Sequence, residues 1–401
     1  MAVKLTIGII VDKTSAPETP NRDPAPALPG GASGSGGFRP GSGRILPKWV
    51  SCVPDHSQQG VLHLYSSAVT EPVILADVVR SGFVEGHHRG SVVVTSPDGS
   101  VEWSAGIVDE PMFPRSSNKP MQALGMLRNG LPLTNELLAL AAASHSGEQF
   151  HLDGVREILA GVGLDETALR TPASYPLDDQ SRDEWIRAGH AQERITMNCS
   201  GKHAAMIATC VQNGWPIHDP AREKSPDGVW GRDDYRSPEH PLQQAIRLAI
   251  EDTAGEKVAH VAVDGCGAPL VAISLAGLAR SFGLFAAAPP ETFEGRIATA
   301  FRQYPEYASG SRRDEAALMR AVPGLFCKIG AEGVYAAGLA DGRGIAVKIE
   351  DGATRASSVA IAATLRRFGL DHEAIDKQVC FPLYGGSVEV GAVRPNPAVF
   401  G

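Results

Sequence analysis

Short apolar runs separated by turn residues lie near both ends of the chain, and longer runs with helical spacing fill its middle. The first runs occur in VTEPVILADVVRSGFVEGHHRGSVVVTSPDGSVEW, where β-branched residues flank SPDGS, a sequence typical of a hairpin turn. Strand-like runs return at VAHVAVDGC, GVYAAGLADGRGIAVKIEDG and QVCFPLYGG. This arrangement predicts one α/β or α+β domain in which the terminal strands share a sheet.

The middle of the chain carries the helix signals. Apolar residues recur at helical spacing in SNKPMQALGMLRNG, which ends in Gly, and in TNELLALAAAS, which opens on the potential capping residue Thr134. The same spacing is found in HLDGVREILAGVG, KHAAMIATCVQNG, PLQQAIRLAIEDTAG and ETFEGRIATAFRQY. We therefore expect a mainly helical middle, and no internal repeat is visible.

The first part of the chain differs in composition from the rest. Residues 13–46 are a low-complexity Pro/Gly/Ser sequence, which cannot bury enough apolar surface to become ordered. The following residues stay irregular up to about Ala68. We expect residues 1–68 to be a disordered extension and residues 69–401 to form the working domain. No convincing cleavage site follows the apolar start MAVKLTIGIIV, so we expect no secretory signal.

Composition and charge narrow the possible functions. The chain has 401 residues and a formal net charge of −8, without a basic stripe of interleaved aromatic residues, so nucleic acid is not an expected partner. No apolar run approaches the roughly 20 residues that span a bilayer, so we expect no membrane partner. The six cysteines are scattered rather than arranged as a disulfide scaffold, which favours a reduced, cytoplasmic location.

The segment PRSSNKPMQ places Ser116 three residues before Lys119. A serine needs a base before it can attack a carbonyl at neutral pH, and a lysine can be that base if burial or another cation lowers its pKa. Residues three apart on a helix share a face, so the two could form a catalytic pair. The alternative is that Ser116 or Ser117 caps a helix while Lys119 is solvated.

Two further segments could complete such a site. In AAASHSGEQFH an alanine-rich helix runs directly into Ser144, and in FCKIGAEGVYAAG a strand-edge lysine, Lys328, is followed by x-Gly. The second pattern is similar to the K-T-G strand of serine–lysine acyl enzymes, and Lys328 could pair with Ser144. The alternatives are an ordinary helix exit and a solvated surface lysine.

A possible metal site is suggested by MNCSGKHAAM and AVDGCGAP. The first holds Cys199, Lys202 and His203 just before an apolar helix, and the second holds Asp264 and Cys266 after a short strand. Two thiolates with nearby nitrogen and oxygen donors suit a soft metal. The alternative is that the two cysteines are buried structural residues.

Taken together, these segments resemble a known family. RSGFVEGHHRGSVVV, RSSNKPMQAL, ASHSGE, NCSGKHAAM, VDGCGAP, KIGAEGVYA and GIAVKIEDGA occur in the order seen in the rhizobial-type (class 3) L-asparaginases, the asparaginase II family. The similarity covers about Glu71 to Phe381. It implies hydrolysis of L-asparagine to L-aspartate and ammonia by residues 69–401. It also implies a homodimer and an α/β fold similar to serine β-lactamases and glutaminases, with a mixed sheet flanked by helices.

The resemblance also implies roles for particular residues. Two serine–lysine pairs correspond to Ser116 with Lys119 and to Ser144 with Lys328. The family's zinc site corresponds to Cys199, Lys202 and Cys266, and the residues that line the substrate or metal pocket correspond to Arg115, His203 and Asp264. On this basis we expect Ser116, activated by Lys119, to attack the substrate amide, while Ser144 and Lys328 relay protons. Both serines stay open as the nucleophile, and the chemistry does not require zinc.

The sequence departs from the family pattern in its N-terminal extension and in a polar insertion, DPAREKSPDGVWGRDD. Three other functions stay open. They are a glutaminase or other small-amide hydrolase, a penicillin-recognising enzyme, which the lack of an S-D-N-like triplet disfavours, and a zinc-dependent binding protein without turnover. No TGGTI-like stretch or autoprocessing Gly-Thr site suggests the asparaginases that use a threonine nucleophile.

Overall fold

The structure is a computed structural model that describes residues 71–218 and 231–401. The predicted extension, residues 1–68, and most of the polar insertion lie outside the described residues. The strands are β1 (Val73–Arg80), β2 (Phe83–Thr95), β3 (Val101–Ala105), β4 (Pro111–Met112), β5 (His260–Val263), β6 (Pro269–Ser274), β7 (Phe326–Ile329), β8 (Val334–Gly338), β9 (Gly344–Ile349), β10 (Phe381–Gly385) and β11 (Val388–Pro395).

The helices lie mainly between β4 and β7. They are α1 (Lys119–Arg128), α2 (Asn135–Ala141), α3 (Gln149–Ala160), α4 (Asp179–Arg187), α5 (Ser200–Gln212), α6 (Pro241–Ala254), α7 (Leu275–Ala287), α8 (Phe293–Gln303), α9 (Pro305–Ala308), α10 (Asp314–Ala321), α11 (Thr354–Arg367), α12 (Glu373–Val379) and α13 (Pro397–Phe400), with 3-10 turns at Arg115–Asn118 and Glu166–Ala168. In the described ranges, no helix has the length and apolar character that crossing a lipid bilayer requires.

Strands from both ends of the chain lie side by side in the main sheet. Its order is β10-β11-β1-β2-β9-β8-β7, and β3 pairs with the outer part of β2. The pairings are antiparallel, including Val78 with Val393 across β1 and β11 and Val93 with Ala346 across β2 and β9. The predicted α/β class and the shared sheet are therefore confirmed, although the sheet is antiparallel rather than mixed. The SPDGS hairpin is also present, between β2 and β3.

Helix α7 packs directly on this sheet because glycines remove the side chains between them. A methyl group at Gly338 of β8 would lie 2.0 Å from the Phe282 carbonyl oxygen, and one at Gly344 of β9 would lie 1.8 Å from the Ala279 carbonyl oxygen. No Cβ atom fits at such distances, so only glycine allows this approach. The buried face of α7 then meets Phe326 of β7, whose ring stacks on Phe282 at 5.1 Å between centroids.

A second close approach lies among the helices. A methyl group at Gly201, in the first turn of α5, would lie 2.7 Å from the Leu140 carbonyl oxygen in α2. Glycine at this position lets the start of α5 press against the end of α2. The segments that follow α2 and precede α5 are thereby brought together, and the His145 N–H donates to the Asn198 carbonyl oxygen at 3.1 Å. Two of the predicted site segments therefore become neighbours.

Candidate active site

The end of α2 carries Ser144 into the interior. Ala141, Ala142 and Ala143 are fully buried in the main apolar core, and Ser144 follows them with 5% of its surface exposed. Burial of the three apolar methyl groups favours this path, because each would otherwise be exposed to water. The serine is therefore not an ordinary solvent-facing helix exit.

Lys119 meets Ser144 in this buried region. Its amine donates to the Ser144 hydroxyl at 2.9 Å, to the Ala143 carbonyl at 2.5 Å and to the Cys199 sulfur at 3.1 Å. A lysine ammonium has three N–H donors, so these three acceptors satisfy it completely. Only 1% of Lys119 is exposed, which rules out the solvated alternative.

Ser116 lies outside the α-helix that the S-x-x-K spacing suggested. It belongs to the 3-10 turn Arg115–Asn118, and α1 begins only at Lys119. Within the described residues, the Ser116 hydroxyl forms no hydrogen bond, and the Lys119 amine donates to Ser144 rather than to Ser116. Neither serine caps α1, because its N-cap residue is Asn118 and the Ser117 hydroxyl donates to the Pro114 carbonyl.

The backbone just before Ser116 has an unusual conformation and packs closely against the turn between β7 and β8. Arg115 has a φ of 52°, in the left-handed region that few non-glycine residues adopt. The turn between β7 and β8 packs against it so closely that a methyl group at Gly330 would lie 2.6 Å from the Pro114 carbonyl oxygen. The half-buried Ser116 is thus held at the surface of the same buried region that contains Lys119.

Lys328 is a second buried lysine in this region. It lies on β7 with no exposed surface, donates to the Ile329 carbonyl at 3.1 Å and forms an ion pair with Glu315 at 3.5 Å. The pKa of Lys328 is lowered to about 8, chiefly by burial; the positive charge of Lys119 acts in the same direction, and Glu315 opposes both. No hydrogen bond joins Lys328 to Ser144 in the part of the chain that the structure describes.

Two cysteines and a lysine meet beside Lys119. Cys199 precedes α5 and Cys266 follows β5; both are buried, and the buried Lys202 amine donates to the Cys266 sulfur at 3.3 Å. A hydrogen bond from the Cys199 thiol holds the pKa of Cys266 well below its usual value, with help from Lys202, and the same interaction raises the pKa of Cys199. Cys266 is therefore the more acidic thiol of the pair.

Asp264 connects this thiol pair to the Ser116 turn. One carboxylate oxygen accepts a hydrogen bond from Arg115 Nε at 3.0 Å, and the other lies 3.7 Å from the Cys266 sulfur. The Arg115 Nη1 atom lies 3.5 Å from Glu332, which is on the β7–β8 turn. The guanidinium is thus oriented by two carboxylates beside the serine turn.

A family model for L-asparaginase II matches residues 76–395 of the chain. The chain belongs to the L-asparaginase II family. The match begins within β1, ends at the last residue of β11 and includes all of the site residues described above. Membership in this family indicates an amidohydrolase that acts on a small-molecule substrate.

Solved structures give weaker likenesses. A β-lactamase from Mycobacterium bovis is 13% identical, covers 70% of this chain and 95% of its own, and has a TM-score of 0.40. A putative β-lactamase from Bacteroides dorei is 14% identical, with coverages of 65% and 84% and a TM-score of 0.35. A Bacillus glutaminase is 12% identical, with coverages of 69% and 91% and a TM-score of 0.30. Likenesses at these TM-scores carry no argument about function. No curated protein matches the chain.

The family resemblance implies a zinc ion at the pair of thiols Cys199 and Cys266. The donor atoms there show whether the pair suits that metal. Among the described residues, no group of three or more His, Cys, Asp and Glu side chains is placed to hold a metal ion, so the third donor would be Lys202. Two cysteine sulfurs and an amine form a donor set that suits zinc. Burial lowers the pKa of Lys202, but Cys266 and Cys199 raise it to above its usual value, so metal binding must displace a proton.

His203, in the first turn of α5, contacts the phenol of Tyr235. Its Nδ1 atom lies 2.6 Å from the Tyr235 hydroxyl, while its buried Nε2 atom has no hydrogen-bond partner among the described residues. Burial lowers the pKa of His203, so the ring is neutral near pH 7. This histidine therefore lines the thiol pair as an uncharged group.

Three contributors to the site were not found from the sequence. The Asn198 side-chain oxygen lies 3.1 Å from the Cys199 sulfur, Tyr235 orients His203, and Glu315 pairs with Lys328. Asn198 lies within the NCSGKH motif, which could have indicated it. Tyr235 and Glu315 lie in segments without any recognisable pattern, and only the packing brings them to the site.

Proposed function

We propose that this protein is an L-asparagine amidohydrolase that works through a serine acyl-enzyme. The observation that carries the proposal is the buried hydrogen bond between Lys119 and Ser144, beside the Ser116 turn, in a chain of the L-asparaginase II family. Amide hydrolysis by a serine nucleophile needs an adjacent general base. A lysine in contact with a serine hydroxyl, with a second buried lysine nearby, can supply that base.

Ser116 is the nucleophile in this proposal. Its hydroxyl is half-buried and free of hydrogen bonds within the described residues, whereas the Ser144 hydroxyl is buried and already bonded to Lys119. The serine oxygen attacks the side-chain amide carbon of asparagine, and the proton passes to the Lys119–Ser144 pair. Lys119 accepts this proton as the neutral amine, and the ammonium so formed has its three acceptors, Ala143, Ser144 and Cys199, already in place.

The remaining steps use the same groups. The tetrahedral intermediate breaks its carbon–nitrogen bond, takes the proton back from the lysine and releases ammonia. Water then attacks the ester carbon and gives its proton to the same base. The bond between that carbon and the Ser116 oxygen breaks, the base returns the proton to the serine oxygen, and aspartate is released. The cationic lysines stabilise the negative charge that develops on the amide oxygen. Arg115, held by Asp264, binds the substrate α-carboxylate, since a guanidinium can donate two parallel hydrogen bonds to it.

Cys199, Lys202 and Cys266 would hold the zinc ion, with Asp264 and His203 beside them. Bound zinc would supply a Lewis-acid centre at the wall of the pocket. The proposed serine chemistry does not require it. The homodimer and the cytoplasmic location stay predictions of the sequence.

The test is ammonia release from asparagine, glutamine and a β-lactam, by the wild type and by Ser116→Ala, Ser144→Ala and Ser117→Ala. We expect asparagine to be the best substrate and Ser116→Ala to lose nearly all turnover. Ser117→Ala is the matched control, because its hydroxyl donates only to the Pro114 carbonyl. Faster turnover of glutamine would make the protein a glutaminase. A serine ester found on residue 144 by mass spectrometry would reassign the nucleophile.

A further inference from the structure

Glu315 is a charged residue in an environment that ordinarily excludes charge. Its side chain has no exposed surface, and neither carboxylate oxygen accepts a hydrogen bond from the described residues. A buried carboxylate is costly unless a cation compensates it. Two cations do so, Lys328 at 3.5 Å from one oxygen and Arg313 at 3.5 Å from the other.

The position of Glu315 is fixed by the elements that carry it. It is the second residue of α10, where the helix dipole favours a negative charge. The Cys327 thiol of β7 lies 3.7 Å from the Glu315 carbonyl oxygen, so the start of the helix is in contact with the strand that carries Lys328. The contact between carboxylate and amine is therefore built into the packing of α10 on β7.

We propose that Glu315 is a positioning residue that holds the Lys328 amine, and the proton on it, beside the Lys119–Ser144 pair. The role of Glu315 in amide hydrolysis rests on the function proposed above, whereas its effect on the protonation of Lys328 does not. Glu315 touches no reacting atom; it acts on the reaction only through Lys328.

The charges around Lys328 determine the direction of the effect. Lys328 faces Glu315 of α10, Arg313 at the N-cap of that helix and Lys119 of α1. On its own strand Cys327 is its neighbour, and Tyr335 of β8 is in contact with that thiol. Burial, Lys119 and Arg313 lower the pKa of Lys328, and Glu315 and Cys327 raise it, leaving it at about 8. Loss of the Glu315 charge must therefore let Lys328 lose its proton at a lower pH, and loss of Arg313 must do the opposite.

The direct test follows the Lys328 proton by NMR in full-length protein labelled with ¹³Cε-lysine. The Lys328 signal is assigned as the one absent from Lys328→Met. In the wild type we expect a titration midpoint near pH 8. In Glu315→Gln the midpoint should fall by about 1 to 3 pH units, the usual effect of removing an adjacent opposite charge. Asp314→Asn, the neighbouring carboxylate on the same helix, is the matched control and should leave the midpoint unchanged.

An unchanged midpoint in Glu315→Gln, or an equal fall in Asp314→Asn, would overturn the proposal. If Glu315→Gln does not fold, Arg313→Gln decides. Its midpoint should rise, because Lys328 loses a repelling cation and no longer shares Glu315 with Arg313. An unchanged midpoint in that variant would also overturn the proposal.

The kinetic arm uses the pH dependence of kcat/KM for ammonia release, which reports groups of the free enzyme. In Glu315→Gln, the limb of the profile that arises from Lys328 should move to lower pH by the same amount as the NMR midpoint. A purely structural role would lower the rate without moving this limb, and that result would overturn the catalytic part of the proposal. A wild type without any amidohydrolase activity would refute the proposed function, while the NMR midpoints would still decide the role of Glu315.

Discussion

The amine of Lys119 lies 3.1 Å from the sulfur of Cys199. This contact joins the serine–lysine region to the thiol pair, because the same amine also donates to Ser144 at 2.9 Å. A change in the charge of either thiol therefore acts directly on the lysine that we propose as the base. The candidate metal site and the candidate catalytic site form one electrostatic unit.

Lys119→Met should abolish most activity without unfolding the protein. The loss of a general base costs about 100- to 10,000-fold in rate. The Ala143 carbonyl and the Ser144 hydroxyl lose their buried donor, which costs about 1–3 kcal/mol and lowers the Tm without unfolding the protein. The measurements are kcat for ammonia release and the Tm. Lys377→Met removes an exposed lysine that pairs with Glu373 and should change neither quantity. Wild-type kcat in Lys119→Met would show that Lys119 is not the base.

Gly201→Ala should damage both stability and activity. The added methyl group would lie 2.7 Å from the Leu140 carbonyl oxygen and the Leu140 Cγ atom, so α5 must move away from α2. Overpacking of this kind costs about 1–3 kcal/mol in free energy of unfolding, and the shift separates Cys199 from Lys119. Denaturant unfolding and kcat measure the two effects. Gly161→Ala is the control, because its methyl group would have no neighbour closer than 3.5 Å.

Asp264→Asn should weaken substrate binding more than turnover. Asp264 orients Arg115 at 3.0 Å, and an amide oxygen there would hold the guanidinium less strongly than a carboxylate. We expect KM for asparagine to rise by about tenfold, equivalent to about 1.4 kcal/mol of lost binding energy. Glu332→Gln is the comparison, since that carboxylate is more exposed and more distant, and its effect should be smaller. A larger effect at Glu332 would show that Asp264 is not the main support of Arg115.

Zinc binding should depend on the thiol pair and on pH. After incubation with zinc and gel filtration, elemental analysis should find about one zinc ion per chain in the wild type and none in Cys266→Ser. Cys210→Ser, which changes a buried thiol outside the pair, should bind zinc as the wild type does. Binding should weaken as the pH falls, because Lys202 and Cys199 must lose protons to become ligands. A wild type that retains no zinc would contradict the assignment of the three donors.

The sequence by itself determined several of the helices and strands and the family to which the chain belongs. Apolar spacing located α1, α2, α3, α5, α6 and α8, because a helix repeats its buried face every three or four residues. It did not single out α7, whose buried residues include Leu275, Leu278, Phe282 and Phe285 and whose role depends on glycines of the sheet beneath it. Several motifs in the same order as in the family were enough to indicate it, because together they are much more specific than any one motif alone.

Only the tertiary structure decided which serine meets which lysine. The i, i+3 argument for Ser116 and Lys119 assumed one continuous helix, but the left-handed Arg115 and the 3-10 turn place the two residues in different elements. Lys119 instead meets Ser144, 25 positions away, because Gly201 allows α5 and α2 to close around it. Glu315 meets Lys328 through the packing of α10 on β7. Contacts between distant segments follow from the packing of the core, which sequence spacing does not encode.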